Sequence, residues 1–243
     1  RGVAMCSNKA RGDESAVPVF RTRAQQLEKM PPCQAQCPNA GDIRGWIGII
    51  AQHEKNGLTL EEAYDKAWQK LADRNPLPAT ISRICPHPCE DGCNRNNVDD
   101  FVGINSVEQY IGDSAYEQKF TFEAPAELSG KKVAIIGGGP AGMAAAYQLR
   151  RLGHASTIFD DHEELGGMMR YGIPGYRTPR DVLNHECQRI LDMGDIEVHL
   201  NTRVGKDVSV EEIDKNHDAV LWAIGCWTGR GLPLEGWDDA PNC

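Results

Sequence analysis

Lys132-Val133-Ala134-Ile135-Ile136-Gly137-Gly138-Gly139-Pro140-Ala141-Gly142 decides the reading of this chain, because a β-branched run passes directly into a glycine turn and then into helix-forming sequence. Gly137 suits a tight turn, Gly139 lets a pyrophosphate approach the backbone, and Gly142 lets the helix pack on the strand. Pro140 and Ala141 open the helix, whose free amides and partial positive charge favour phosphate; the proton that proline lacks is not needed there. A second strand ends at Phe159-Asp160, where a carboxylate can accept hydrogen bonds from a ribose diol. Strand, glycine turn, helix, strand and acid in this order predict a Rossmann-type dinucleotide site.

The turn does not say which dinucleotide, since FAD and NAD share an adenosine diphosphate half. Leu165-Gly166-Gly167-Met168 and Ala219-Val220-Leu221-Trp222-Ala223-Ile224-Gly225 resemble two further signatures of flavoproteins that bind two dinucleotides. That resemblance implies FAD, with Gly167 and Arg170 near the flavin side and Gly225 in a later turn. A second nucleotide turn for NAD(P)H is not found between Gly142 and Cys243, and the Gly225, Gly229, Gly231 series has no phosphate-cradling helix after it.

Upstream, Cys85-Pro86-His87-Pro88-Cys89-Glu90-Asp91-Gly92-Cys93 sets three soft ligands at steps of four, and Cys33-Gln34-Ala35-Gln36-Cys37-Pro38 adds two. Thiolates are the natural ligands of iron-sulfur cubanes, and the prolines are expected to hold these segments as loops. Zinc is the competing reading, because four cysteines also suit a tetrahedral site.

Composition excludes other classes. The formal charge is -9, from 26 Lys and Arg against 35 Asp and Glu, without a lysine-rich tract, which argues against a nucleic-acid partner. No apolar run reaches a membrane span, and no secretory signal follows Arg1. Nine cysteines could form a disulfide framework, but the number is odd and five are grouped beside prolines, so a reducing cytoplasm with metal-bound thiolates is expected. Cys187, on a stripe with Leu183, Ile190 and Leu191, reads as core, while Cys226 beside Gly225 is the cysteine nearest the flavin turn. A start at Arg1 and an end at Asn242-Cys243, just past a strand and glycine signal, lead us to expect a fragment.

The expected organisation is multidomain: an extended arm at 1–30, an α-helical iron-sulfur domain at 31–122, a linker at 123–130, and an incomplete FAD-binding Rossmann-type domain at 131–243. Helices are predicted from Ile43, after a Thr59/Glu62 capping box, and from about Ile104 to Tyr116. Strands are predicted at Val133–Ile136 and Ser156–Phe159, with a helix over Ala141–Leu152 between them.

The set Pro31-Pro32-Cys33, Cys37-Pro38, Cys85-Pro86, Cys89-Glu90 and Cys93, followed by the turn at Gly137, resembles the small-subunit family of NADPH-dependent glutamate synthase, whose module also opens dihydropyrimidine dehydrogenase. The likeness runs from about Leu27 to Gly236. It implies one 4Fe-4S cluster on Cys37, Cys85, Cys89 and Glu108, and a second on Cys33 and Cys93 together with an upstream CxxC that here falls on Gln25 and Glu28. It also implies that Met168, Val204 and Ala223 lie beside FAD with the glycines named above. In this family hydride passes from NAD(P)H, bound outside this chain, to FAD, and electrons then reach a partner subunit in a hetero-complex or oligomer. The Tyr171–Arg177 run and the missing CxxC incline the expectation toward a relative serving another acceptor, such as a sulfite reductase of sulfur oxidisers. The alternatives are glutamate synthase proper and a relay or docking subunit that uses no nicotinamide.

Overall fold

A computed structural model describes residues 30–227; the expectations on the arm, Cys6, Gln25, Glu28, Gly229 and Gly231 lie outside the described residues. The first half is helical, with α1 at Pro32–Gln36, α2 at Ile43–Ala51, α3 at Leu60–Ala72, α4 at Pro78–Ser82, α5 at Pro88–Asp91, a 3-10 turn at Asn94–Asn97 and α6 at Ile104–Glu117. The Asp42 carboxylate accepts from Gly45 N to start α2. Thr59 and Glu62 form the reciprocal capping box that starts α3. Trp68, Ala67, Ala63 and Leu71 then put the buried stripe of α3 into the core.

Cys37 and Cys85 lie outside helices as expected, but the proline-bounded segments are not loops throughout. Pro32, Pro78 and Pro88 open α1, α4 and α5, so Cys33 and Cys89 sit in short helical turns and not in loops. The reason is positional: the first helical residue needs no N–H, and the fixed proline φ suits that position.

The second half contains β1 at Lys132–Ile136, α7 at Pro140–Arg151, β2 at Ala155–Phe159, α8 at Met168–Tyr171, α9 at Arg180–Leu191, β3 at Ile196–His199, α10 at Val210–Asn216 and β4 at Ala219–Trp222. The four strands are parallel in the order β3-β2-β1-β4. Alternate residues serve opposite faces. Ile135 and Ile158 point into the large core, while Ala134, Ile136 and Phe159 meet Ile213 of α10 on the other face.

The large core runs across the change of architecture. Trp46, Trp68, Ile104 and Ile111 from the helical half share it with Ile135, Met143, Leu183 and Ile190 from the sheet half. Phe122 stacks on Trp68 at 4.5 Å between ring centroids and meets Tyr147 at 4.6 Å. Residues 32–227 belong to one compact unit.

Candidate cofactor sites

The glycine turn lies at the carboxyl end of β1, between its neighbours β2 and β4, the position where open parallel sheets bind ligands. Gly137 has φ +111°, and a Cβ there would run into the carbonyl of Ala223 at the end of β4. A Cβ on Gly142 would run into the carbonyl of Gly137, so the first turn of α7 sits directly on the glycine turn. Gly139 is the N-cap of α7 and no side chain caps the helix; Pro140 and Ala141 are exposed beside its open amides.

The glycine pair closes over this turn. Gly166 N donates to Gly138 O at 2.9 Å. Gly167 has φ +50°, and a Cβ on it would lie 2.7 Å from the Cα of Gly139. The two glycine motifs are therefore bare because their backbones face each other, an approach that the spacing in sequence did not reveal. A narrow backbone-lined cradle of this kind fits a pyrophosphate.

Asp160 ends β2 and is buried, with Oδ2 accepting from Gly138 N at 2.6 Å and Oδ1 from His162 N at 2.9 Å. It steadies the turn, and a carboxylate with about four acceptor positions retains capacity for a ribose hydroxyl. His162 Nδ1 lies 2.9 Å from both Asp160 Oδ1 and Asp161 Oδ1, and the ring stacks on Trp227 at 4.4 Å. Arg170 is buried: it donates to Leu165 O at 2.6 Å, to Glu164 Oε2 at 3.0 Å and to Asn184 Oδ1. Its donors shape the Leu165–Gly167 loop. Met168 is exposed next to Gly167, Val204 forms an isolated parallel bridge with Val208, and Ala223 and Gly225 follow β4.

Burial pushes the Cys89 thiol up to about 12, and the negative charges of Glu90, Cys37, Cys85 and Glu108 add to it. Burial likewise raises Cys85, with Glu108, Cys37 and Glu90 acting in the same direction. Cys33 is raised by burial and by Cys93. The charges acting on the Cys85 and Cys89 thiols thus include Cys37, Glu90 and Glu108, and Cys93 is one of those acting on Cys33. Glu90 is already used, with Oε1 accepting from Asn105 N at 2.8 Å and Oε2 paired with His87 Nδ1 at 2.9 Å. Glu108 has one hydrogen bond among the described residues, from Asn75 Nδ2 at 2.8 Å, and burial raises its carboxyl. His87 takes a left-handed φ of +43° and its backbone N donates to Cys85 Sγ at 3.3 Å.

This donor set fits a cubane better than zinc. A tetrahedral zinc site brings its sulfurs to about 3.8 Å from one another. Among the described residues no three cysteine sulfurs lie within 4.8 Å of one another. Thiols packed against like charges and raised by burial need a cation to hold them as thiolates, and a cluster whose ligands bind separate irons suits the wider spacing.

The helical cysteine domain and the Rossmann sheet thus put a candidate metal-cluster site and a candidate dinucleotide site in one compact unit. Two family models match: "Dihydropyrimidine dehydrogenase domain II, 4Fe-4S cluster" over residues 22–120, and "NAD(P)-binding Rossmann-like domain" over residues 135–195. The NADP(+)-dependent formate dehydrogenase subunit beta of Moorella thermoacetica is 37% identical over 86% of this chain and 31% of its own length. The NADPH-Fe(3+) oxidoreductase subunit beta of Geobacter sulfurreducens is 38% identical over 85% of this chain and 30% of its length. The glutamate synthase [NADPH] small chain of Azospirillum brasilense is 35% identical over 85% of this chain and 42% of its length. The chain belongs to the glutamate synthase small-chain family, and spans less than half the length of these relatives.

Proposed function

We propose that this chain is the cluster-bearing and FAD-binding part of an NAD(P)H-dependent iron-sulfur flavoprotein that exchanges electrons with a partner subunit. The observation that carries this reading is a helical domain with five grouped cysteines, whose Cys85 and Cys89 thiols are raised by burial and neighbouring acids, in the same compact unit as the glycine turn. Bound FAD would supply the conversion of a two-electron hydride donor into single electrons. The chain's own task is to hold the two groups. Gly137, Gly139, Ala141 and Gly142 offer backbone to the pyrophosphate, Asp160 offers a carboxylate to the ribose, and Gly167 closes the cradle. Arg170 holds the loop that carries Gly167. Met168, Val204, Ala223 and Gly225 border the remainder of the FAD.

Cys37, Cys85, Cys89 and Glu108 would ligate one 4Fe-4S cluster, and Cys33 and Cys93 would contribute to a second. NAD(P)H would bind outside this chain. A partner subunit fits the printed names of the relatives, which are beta subunits and a small chain. Their names cover formate, ferric iron and glutamate synthesis, so the acceptor is proposed by class only, and the inclination toward sulfite reductase gains no support from these three. A cytoplasmic location is proposed because thiolate-held clusters need a reducing compartment; no described helix is long and apolar enough to cross a membrane.

Iron, sulfide and flavin analysis of anaerobically purified full-length protein tests this reading, together with visible spectra during NADPH or NADH addition. Cys89→Ser should remove about four irons per chain if Cys89 holds a cubane. Colourless wild-type protein, or flavin that neither nicotinamide bleaches, would defeat the reading; the second outcome would favour the relay subunit.

A further inference from the structure

Two charged residues one helical turn apart on α9 are buried where the Rossmann sheet domain meets the cysteine domain. Glu186 is completely buried, and its two oxygens accept from Ala79 N at 2.7 Å and Thr80 N at 2.8 Å, the unpaired first-turn amides of α4. Arg189 is buried and donates to Ala115 O at 2.8 Å, close to the carboxyl end of α6, with its guanidinium 4.9 Å above the Trp68 ring. A carboxylate thus meets helix amides, and a guanidinium meets a helix carbonyl near the end where cations are favoured.

The two gripped helices are those that present the cluster ligands. Cys85 N donates to Ile81 O at 2.8 Å, which hangs Cys85 from the end of α4. Glu108 is on α6 itself. Arg83 joins the helices, donating to Ala79 O at 2.6 Å and to both Asp113 oxygens at 2.8 and 3.0 Å. A Cβ on Gly112 would lie 2.7 Å from the Ala79 Cα, so α4 and α6 cross without room to slide.

The arrangement is expensive as a stabilising device. Arg189 leaves Nε and one terminal nitrogen buried without a hydrogen-bond partner among the described residues. Buried charged groups with unmet donors cost desolvation that apolar residues of the same volume do not, so the geometry is not explained by stability.

We propose that Glu186 and Arg189 are positioning residues, a clip through which the dinucleotide-binding domain fixes α4 and α6, and with them Cys85 and Glu108, relative to the flavin cradle. The inference rests on the proposed function for its kinetic readout. It also has a structural readout, hydrogen exchange at the amides of Ala79 and Thr80 and along Ile81–Cys89.

The test uses the full-length, cofactor-loaded protein, comparing wild type with Glu186→Ala, Glu186→Gln and Arg189→Met. Stopped-flow spectra separate flavin bleaching by nicotinamide from the later bleaching of the iron-sulfur absorbance. The alanine and methionine variants are expected to keep iron, sulfide and flavin content and the first phase. They should slow the second phase severalfold, because electron transfer between the two groups weakens as their separation is no longer fixed, and exchange faster at Ala79 and Thr80. Glu186→Gln keeps the shape and one acceptor, and should recover part of both signals. Should Glu186→Ala fail to fold, the Gln and Met variants carry the same comparison. Wild-type second-phase rates and wild-type exchange in every folded variant would overturn the clip. A wild-type protein with no second phase would instead defeat the proposed function, leaving hydrogen exchange to decide whether the clip holds the helices.

Discussion

Gly167 has a φ of +50° and a missing Cβ that would sit 2.7 Å from the Gly139 Cα, so any side chain here has two penalties. Gly167→Ala should leave the helical domain folded and weaken FAD retention by roughly 1–3 kcal/mol, the usual cost of a side chain in a strained backbone region. Equilibrium dialysis against free FAD reads this directly, and retention equal to wild type would mean the loop does not close on the pyrophosphate. Glu186 gives a pH prediction. Burial raises its carboxyl from the usual 4.5 to about 7, so the folded state prefers the protonated form. Its stabilising contribution is therefore complete below pH 4.5 and is lost as pH rises through about 7. The amount at stake is up to about 3 kcal/mol. Subtracting the pH profile of the Glu186→Gln unfolding free energy from that of wild type should give a curve falling across this window; a flat difference would show that Glu186 is ionised throughout. The burial of Glu186 was not legible in the sequence. The apolar stripe of α9 identified Cys187 as core, correctly, since Cys187 is buried. The same periodicity hides a buried Glu and Arg among surface-type charges, because their partners are backbone groups of helices about 70 to 110 positions away. Arg170 was expected beside FAD, and nothing in the sequence showed that its donors would go to Leu165, Glu164 and Asn184.

At the scale of elements, the parts that periodicity could mark were legible. The capping box at Thr59, the apolar positions of α2 and α6, and the β1-turn-α7-β2 run fall within a residue or two of the expected bounds. The short elements were not. α1, α4 and α5 have five, five and four residues, fewer than two turns, too few for a periodic signal. β3, Ile196-Glu197-Val198-His199, is a four-residue edge strand with an exposed acid, and its place comes from pairing with β2. The capping box allows a direct test of the element logic. Thr59→Ala removes the acceptor for Glu62 N and the hydroxyl donor to Glu62 Oε2 at an exposed site. It should cost about 1 kcal/mol, lowering the unfolding midpoint by about 2–4 °C, with no change in iron or flavin content. A loss of iron from this variant would mean that the start of α3, remote in sequence from every proposed ligand, controls the cluster site.

The whole molecule has a change of architecture between α6 and β1 but no change of core. Phe122 leads out of the helical half, stacked on Trp68 and packed against Tyr147 of α7, so the segment toward β1 is anchored at its start by aromatic contacts to both halves. With α9 gripping α4 and α6 as well, neither half can unfold without exposing part of the other's apolar surface. Heat unfolding of the cofactor-loaded protein should therefore be a single transition for residues 32–227, seen alike by far-ultraviolet circular dichroism, flavin fluorescence and iron-sulfur absorbance. Phe122→Ala removes the shared ring and should cost about 3–5 kcal/mol. Because the ring belongs to both halves, its loss should lower all three midpoints together. If the iron-sulfur absorbance fell early while flavin fluorescence kept its wild-type midpoint, the two halves would be independent bodies. The distance between their cofactors would then not be fixed by a common core, and the clip on α9 would be the main restraint left to set it.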